Sequence, residues 1–227
     1  PTFAANRISL ANFGMADRVE ELNTRLVGIS KEAVGGRALI GGDLSPVGRM
    51  LEPRGDLSYE ELFDAYVEQI TALANAGVDV LAAETMMCVD EMMAVMDAAR
   101  SVCDLAVLCS MTVEADGSGF FGGSAVEAVE TLQEMGASAV GINCSLGPDQ
   151  MEAVVASMKR SARIPVIAKP NAGIPLINEK GEAIYNMGAD AFARHMVSLV
   201  EAGANVIGGC CGTDPDYIRA LAAAVGR

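Results

Sequence analysis

Two kinds of apolar pattern alternate along the chain. Short apolar runs of strand length lie at 38–43, 80–84, 106–112, 137–140, 165–169 and 204–207, and Thr2-Phe3-Ala4 reads as the tail of another strand. Between them lie longer segments with the apolar periodicity of helices, at 16–34, 58–75, 89–102, 124–135, 148–160, 190–202 and 215–225. The punctuation agrees. Ser58 stands three residues before Glu61, the spacing of a capping box, and Pro148 opens its helix. Small-residue phrases containing Gly recur before residues 79, 138 and 205, where Gly supplies the left-handed residue that ends a helix. Met92, Met93 and Met96 have helical spacing and read as core filler. The stretch 170–187 reads as a long loop.

Strands that alternate with helices imply a parallel sheet with right-handed crossovers. Seven strands, each followed by a helix, are one short of a (β/α)8 barrel. The expected fold is therefore a TIM barrel lacking its first strand and helix, forming one N-terminally incomplete domain over residues 1–227. A doubly wound sheet is the alternative, but no Gly-X-Gly-X-X-Gly fingerprint follows any strand.

Composition narrows the function classes. At 51% hydrophobic residues, 227 positions are ample for a large core. A net charge of −14 argues against nucleic-acid or anionic-membrane partners, which require a basic face. The absence of Trp and the 4% aromatic content weigh against a base-stacking surface. No apolar run is long enough to cross a bilayer, and no leader is visible. Six cysteines without the spacing of a disulfide scaffold suit a reducing, cytoplasmic setting.

Candidate chemistry gathers at the carboxyl ends of barrel strands. Those ends read Asn6, Asp43, Glu84, Thr112, Asn143-Cys144, Lys169-Pro170-Asn171 and Cys210-Cys211. If the strands share one parallel sheet, Cys144, Cys210 and Cys211 can converge, and three thiolates with one open position suit a catalytic zinc. Neighbouring residues of a strand point to opposite faces, so Cys210 and Cys211 can share a metal only where Gly208, Gly209 and Gly212 let the backbone leave strand geometry. Core packing is the alternative for any single cysteine. A thiol redox site is another, although adjacent cysteines lack the Cys-X-X-Cys spacing. Glu84 leaves an apolar strand and needs a cation, either a substrate ammonium or a structural partner; Asp43 carries the same ambiguity. Lys169 reads as a structural ion pair, and His195, alone in mid-helix, as a surface or packing residue.

Three segments carry a family resemblance: Gly141-Ile142-Asn143-Cys144-Ser145-Leu146-Gly147-Pro148, Lys169-Pro170-Asn171-Ala172-Gly173 and Gly208-Gly209-Cys210-Cys211-Gly212-Thr213. Together they resemble the homocysteine S-methyltransferase domain, and Ser-Leu-Gly-Pro after the first cysteine is more similar to the cobalamin-dependent branch than to the betaine-dependent one. Gly42-Asp43-Leu44-Ser45-Pro46-Val47-Gly48 resembles the family's third strand and Thr2 to Arg7 its second. The resemblance implies zinc on Cys144, Cys210 and Cys211, with the homocysteine sulfur as fourth ligand. It also implies Glu84 on the amino group and methylcobalamin on a corrinoid-carrying module or protein as methyl donor; Asp43 and Asn143, at strand ends, are the further candidate substrate residues. S-methylmethionine or S-adenosylmethionine as donor, or a non-catalytic zinc- or homocysteine-binding subunit, are the competing readings. The family's Asp-Gly-X-Met-Gly type segment has no counterpart here.

Overall fold

The computed structural model describes residues 1–226. Helix α1 (Arg7–Ala11) and helix α2 (Val19–Val34) precede strand β1 (Gly41–Leu44). Then come α3 (Tyr59–Asn75), β2 (Val80–Met86), α4 (Val89–Val102), β3 (Val107–Met111), α5 (Ala125–Glu134), β4 (Ala139–Asn143) and α6 (Pro148–Ser161). Strand β5 (Val166–Lys169), the short strands β6 (Pro175–Ile177) and β7 (Ala183–Tyr185), α7 (Ala189–Glu201), β8 (Val206–Ile207) and α8 (Pro215–Ala224) follow. The sheet runs in the order β1-β2-β3-β4-β5-β8. Pairs β1–β2, β4–β5 and β5–β8 are parallel, the strand-helix architecture of the (β/α)8 class. No described helix is long and apolar enough to cross a membrane.

Two compact units divide the chain. The first comprises Pro1–Cys109 with Met135–Ser138. Its core is built where the helical periodicity points, with Leu62, Ile70 and Leu73 of α3 and Met92 and Met96 of α4 buried. Ser58 caps α3 by accepting the Glu61 N–H. Glu91, on α4, is buried too, and its carboxylate accepts the Val47 N–H at 2.9 Å and the Tyr66 hydroxyl at 3.0 Å.

Thr2-Phe3-Ala4 is not a strand, so the sheet has six strands among the described residues rather than seven. The Thr2 hydroxyl donates to the Asp43 carbonyl at 2.9 Å and accepts its N–H at 2.8 Å. One side chain thus does for β1 what a neighbouring backbone would do, and Thr2 itself needs no strand geometry. Asn6, read as a strand end, instead caps α1 by accepting the Ser9 N–H at 2.8 Å.

The second unit comprises Ser110–Glu134 and Ala139 onward. All five residues of β4 are buried, which is why that strand reads as continuously apolar. The stretch read as a plain loop holds the antiparallel hairpin β6–β7, closed by a turn in which the Gly181 N–H donates to Asn178. Its strands are three residues long and largely exposed, too short and too open to leave a readable period. His195 is exposed on α7, as expected of a surface residue.

Candidate metal centre

Strand β4 delivers Asn143 and Cys144. The Cys144 N–H donates to the Lys169 carbonyl at 3.1 Å, extending the β4–β5 ladder by one residue. The backbone then turns sharply: Cys144 has φ +62° and Ser145 φ +50°. Two consecutive non-glycine residues in the left-handed region cost about 1–2 kcal/mol each. The turn is held by the Ser145 hydroxyl, which donates to the Val113 carbonyl at 2.8 Å. Strain of this kind persists only where the surroundings over-determine it, and it aims the Cys144 side chain.

The second cysteine segment is fastened to the residues after β5. The Gly208 N–H donates to Ala168 at 3.3 Å, the Cys210 N–H to Pro170 at 2.8 Å, and the Ala172 N–H to the Cys211 carbonyl at 2.9 Å. The Asn171 side chain accepts the Cys211 N–H at 3.1 Å. Of the three glycines expected to bend this segment, only Gly212 uses the left-handed region, at φ +78°. Gly209 provides room, since a Cβ there would strike Thr213, whereas one on Gly208 would make only ordinary contact with the Lys169 stem. A Cβ on Gly212 would run into the ring of Tyr185, which β7 lays against it.

The result is a cluster in which the sulfurs of Cys144, Cys210 and Cys211 all lie within 4.8 Å of one another. Cys144 and Cys211 are 3.7 Å apart. Tetrahedral zinc with bonds of about 2.3 Å to sulfur separates its ligands by about 3.8 Å, so the donor set fits that ion. Three soft donors meet, and the cluster of potential ligands stops at three among the described residues. The hydrogen bond from Cys210 pulls the Cys144 thiol below its ordinary value, against the effect of burial, and the same bond followed by burial pushes Cys210 well up. The Tyr185 hydroxyl is raised, first by desolvation and then by the nearby Cys211.

Among the residues singled out in the sequence, the structure brings together Cys144, Cys210, Cys211 and Asn143. Asn143 is fully buried, and its side-chain amide lies 3.8 Å from the Cys210 sulfur. Asp43 and Glu84 belong to the first unit, near the carboxyl ends of paired strands, where Asp43 is in register with Ala82. Both are half-buried. Thr85, following Glu84, has φ +64°, a rare conformation for a β-branched residue, and marks that strand end as constrained. Ser110 and Tyr185 are the neighbours that sequence reasoning missed. Ser110 sits inside a strand with no motif around it, and Tyr185 inside a stretch read as loop.

The comparisons with known proteins point the same way. The chain is 31% identical to methionine synthase of Mycobacterium leprae over 240 residues, covering all of this chain. It is 31% identical to methionine synthase of Mycobacterium tuberculosis over 236 residues, covering 99% of it. It spans only 20% of the length of each of these relatives. The crystal structure of homocysteine methyltransferase MmuM from Escherichia coli in its oxidized form has the same fold, with a TM-score of 0.82 at 22% identity over 98% of this chain and 77% of that one. Its metallated form matches with a TM-score of 0.79. The family model described as homocysteine S-methyltransferase matches residues 1–225, and the chain belongs to that family.

Proposed function

We propose that this chain transfers a methyl group to the thiol of homocysteine, giving methionine, with zinc held by Cys144, Cys210 and Cys211. The observation that carries the reading is the convergence of three thiols in a ligand set that leaves a fourth tetrahedral position for a substrate sulfur. Zinc, when bound, supplies a Lewis acid that keeps a coordinated thiol deprotonated at neutral pH. The protein's own part is geometric. The left-handed pair Cys144-Ser145 and the bonds from residues 168–172 to residues 208–211 hold the sulfurs in place before substrate arrives. Pre-organisation of this kind spends the ordering cost during folding and not during the reaction.

The chemistry balances without a protein base. The homocysteine S–H bond gives its proton to solvent and the sulfur forms a bond to the methyl carbon. The donor keeps the electron pair of the bond it loses. Methylcobalamin on a corrinoid-carrying module or partner is the proposed donor, in keeping with the relatives named methionine synthase. For the substrate ammonium we retain Glu84, and Asp43 on the paired strand in register with Ala82, as the carboxylates to substitute. A reducing compartment such as the cytoplasm keeps the three thiols available.

The test combines metal analysis with turnover. Zinc-loaded protein is expected to methylate homocysteine from methylcobalamin and to outpace S-methylmethionine and S-adenosylmethionine as donors. Faster turnover with either sulfonium would replace the donor and keep the acceptor. Zinc binding with no turnover from any donor would reduce the chain to a binding module.

A further inference from the structure

We propose that Ser110 and Asn143 form a positioning pair that presents an N–H donor to the Cys210 sulfur and so tunes it as a metal ligand. The inference rests on the zinc reading and extends it to two side chains behind the metal ligands, giving Asn143 a role through Cys210 in place of the direct substrate contact expected from the sequence. Asn143 is 0% exposed and Ser110 2% exposed. Their contact joins the ends of β3 and β4, with the Ser110 hydroxyl donating to Asn143 Oδ1 at 2.7 Å. The opposite end of the amide, Nδ2, then faces Cys210 Sγ at 3.8 Å.

An amide has one accepting end and one donating end, and a thiolate only accepts. Were the side chain of Asn143 turned over, its carbonyl oxygen would confront the sulfur and the two lone pairs would repel. In the arrangement found, the serine hydroxyl donates to the amide oxygen and the amide nitrogen is left toward the sulfur. The need for a donor follows from charge. Three thiolates on a dication carry a net negative charge, and a substrate thiolate adds another. An N–H aimed at one sulfur offsets part of that charge and fixes the direction of its lone pairs, as outer-shell partners do at metal sites generally. The same geometry accounts for why a fully buried asparagine at a strand end faces the thiols. Asn143 acts on substrate through Cys210.

The experiment compares full-length wild type with Ser110→Ala, Ser110→Thr and Asn143→Leu. Zinc affinity is read by competition with a chromophoric chelator, and the thiolate-to-metal charge-transfer band is read after loading with Co(II). Ser110→Ala deletes one oxygen and is expected to fold normally, as checked by circular dichroism. Zinc affinity should fall about tenfold in Ser110→Ala and about tenfold to a hundredfold in Asn143→Leu, the range seen when outer-shell partners are removed. The Co(II) band should shift in both, and Ser110→Thr, which keeps the hydroxyl, should restore wild-type behaviour. Wild-type affinity and an unmoved band in Ser110→Ala and Asn143→Leu would overturn the pair while leaving the zinc reading intact. Weaker binding with an unmoved band would reduce both residues to packing and overturn the positioning role. Failure of the wild type itself to take up zinc or Co(II) would overturn both readings together.

Discussion

Each of the two units holds a cluster of ionisable groups, buried around Glu91 in the first and partly open around the three cysteines in the second. In the first unit the Glu91 carboxylate accepts from the Val47 N–H and the Tyr66 hydroxyl, and the same hydroxyl lies 3.0 Å from the Ser45 carbonyl. Donors and acceptors there are matched inside the protein, and the cluster fastens the loop after β1 to α3 and α4. In the second unit three sulfurs lie within 4.8 Å of one another. Deprotonated, they would be three anions with no cation in the set. The first cluster is a fastening device; the second has the donor set of a cation site. Cys109 makes the same point at the level of one residue. Fully buried, with Met96 sulfur 3.5 Å away, its thiol is pushed up to about 12 by desolvation, the value of an inert packing group.

Substitutions can break this contrast. The largest effect is expected from Cys210→Ser, which should take bound zinc from about one ion per chain to none detectable by metal analysis, and homocysteine binding with it. The fold should survive, since the position is stabilised by backbone bonds that serine can keep. Zinc retained in that variant would mean that the three thiols do not form one site.

Glu91→Leu should do the opposite. It strands the Val47 N–H, leaves the Tyr66 hydroxyl only the Ser45 carbonyl, and should cost about 1–3 kcal/mol in urea unfolding, with zinc content unchanged. Glu91→Gln sharpens the point through pH. Burial raises the Glu91 carboxyl above 4.5. A carboxyl raised in the folded state adds stability that is complete below its unfolded pKa and is lost as pH rises through the folded value. The glutamine variant should therefore gain on wild type as pH climbs above 4.5 and converge with it below. Parallel stability curves would show that the Glu91 carboxylate carries no desolvation cost.

Smallest is the effect of Gly212→Ala. Its φ of +78° and the Tyr185 ring against it predict a loss of about 1–2 kcal/mol and a weakened hold on zinc, as the hairpin β6–β7 is pushed away. Unchanged chelator competition would show that Cys211 is placed without help from that packing.

Periodicity and cysteine placement were legible before the structure because they are local signals. Helix α4 falls where its apolar spacing puts it, and Cys144 directly follows β4, whereas Cys210 and Cys211 lie in the loop beyond β8. Thr2 misled because a threonine hydroxyl can replace a strand's ladder bonds, and no local pattern distinguishes the two uses. Ser110 and Asn143 stand apart in sequence and meet only through the pairing of distant segments. The bend at Cys144 and Ser145 was hidden for another reason: neither residue is one that the left-handed region favours, so composition points away from it.

Alternating apolar patterns determine the strand-helix architecture, since each element must bury its own face, and the strand-end cysteines determine the class of ligand, since residue type fixes softness. Distances between sulfurs, the orientation of the Asn143 amide and the strain at Cys144 were decided by tertiary structure alone. They depend on register between strands far apart in the chain, and register is a property of the packed sheet.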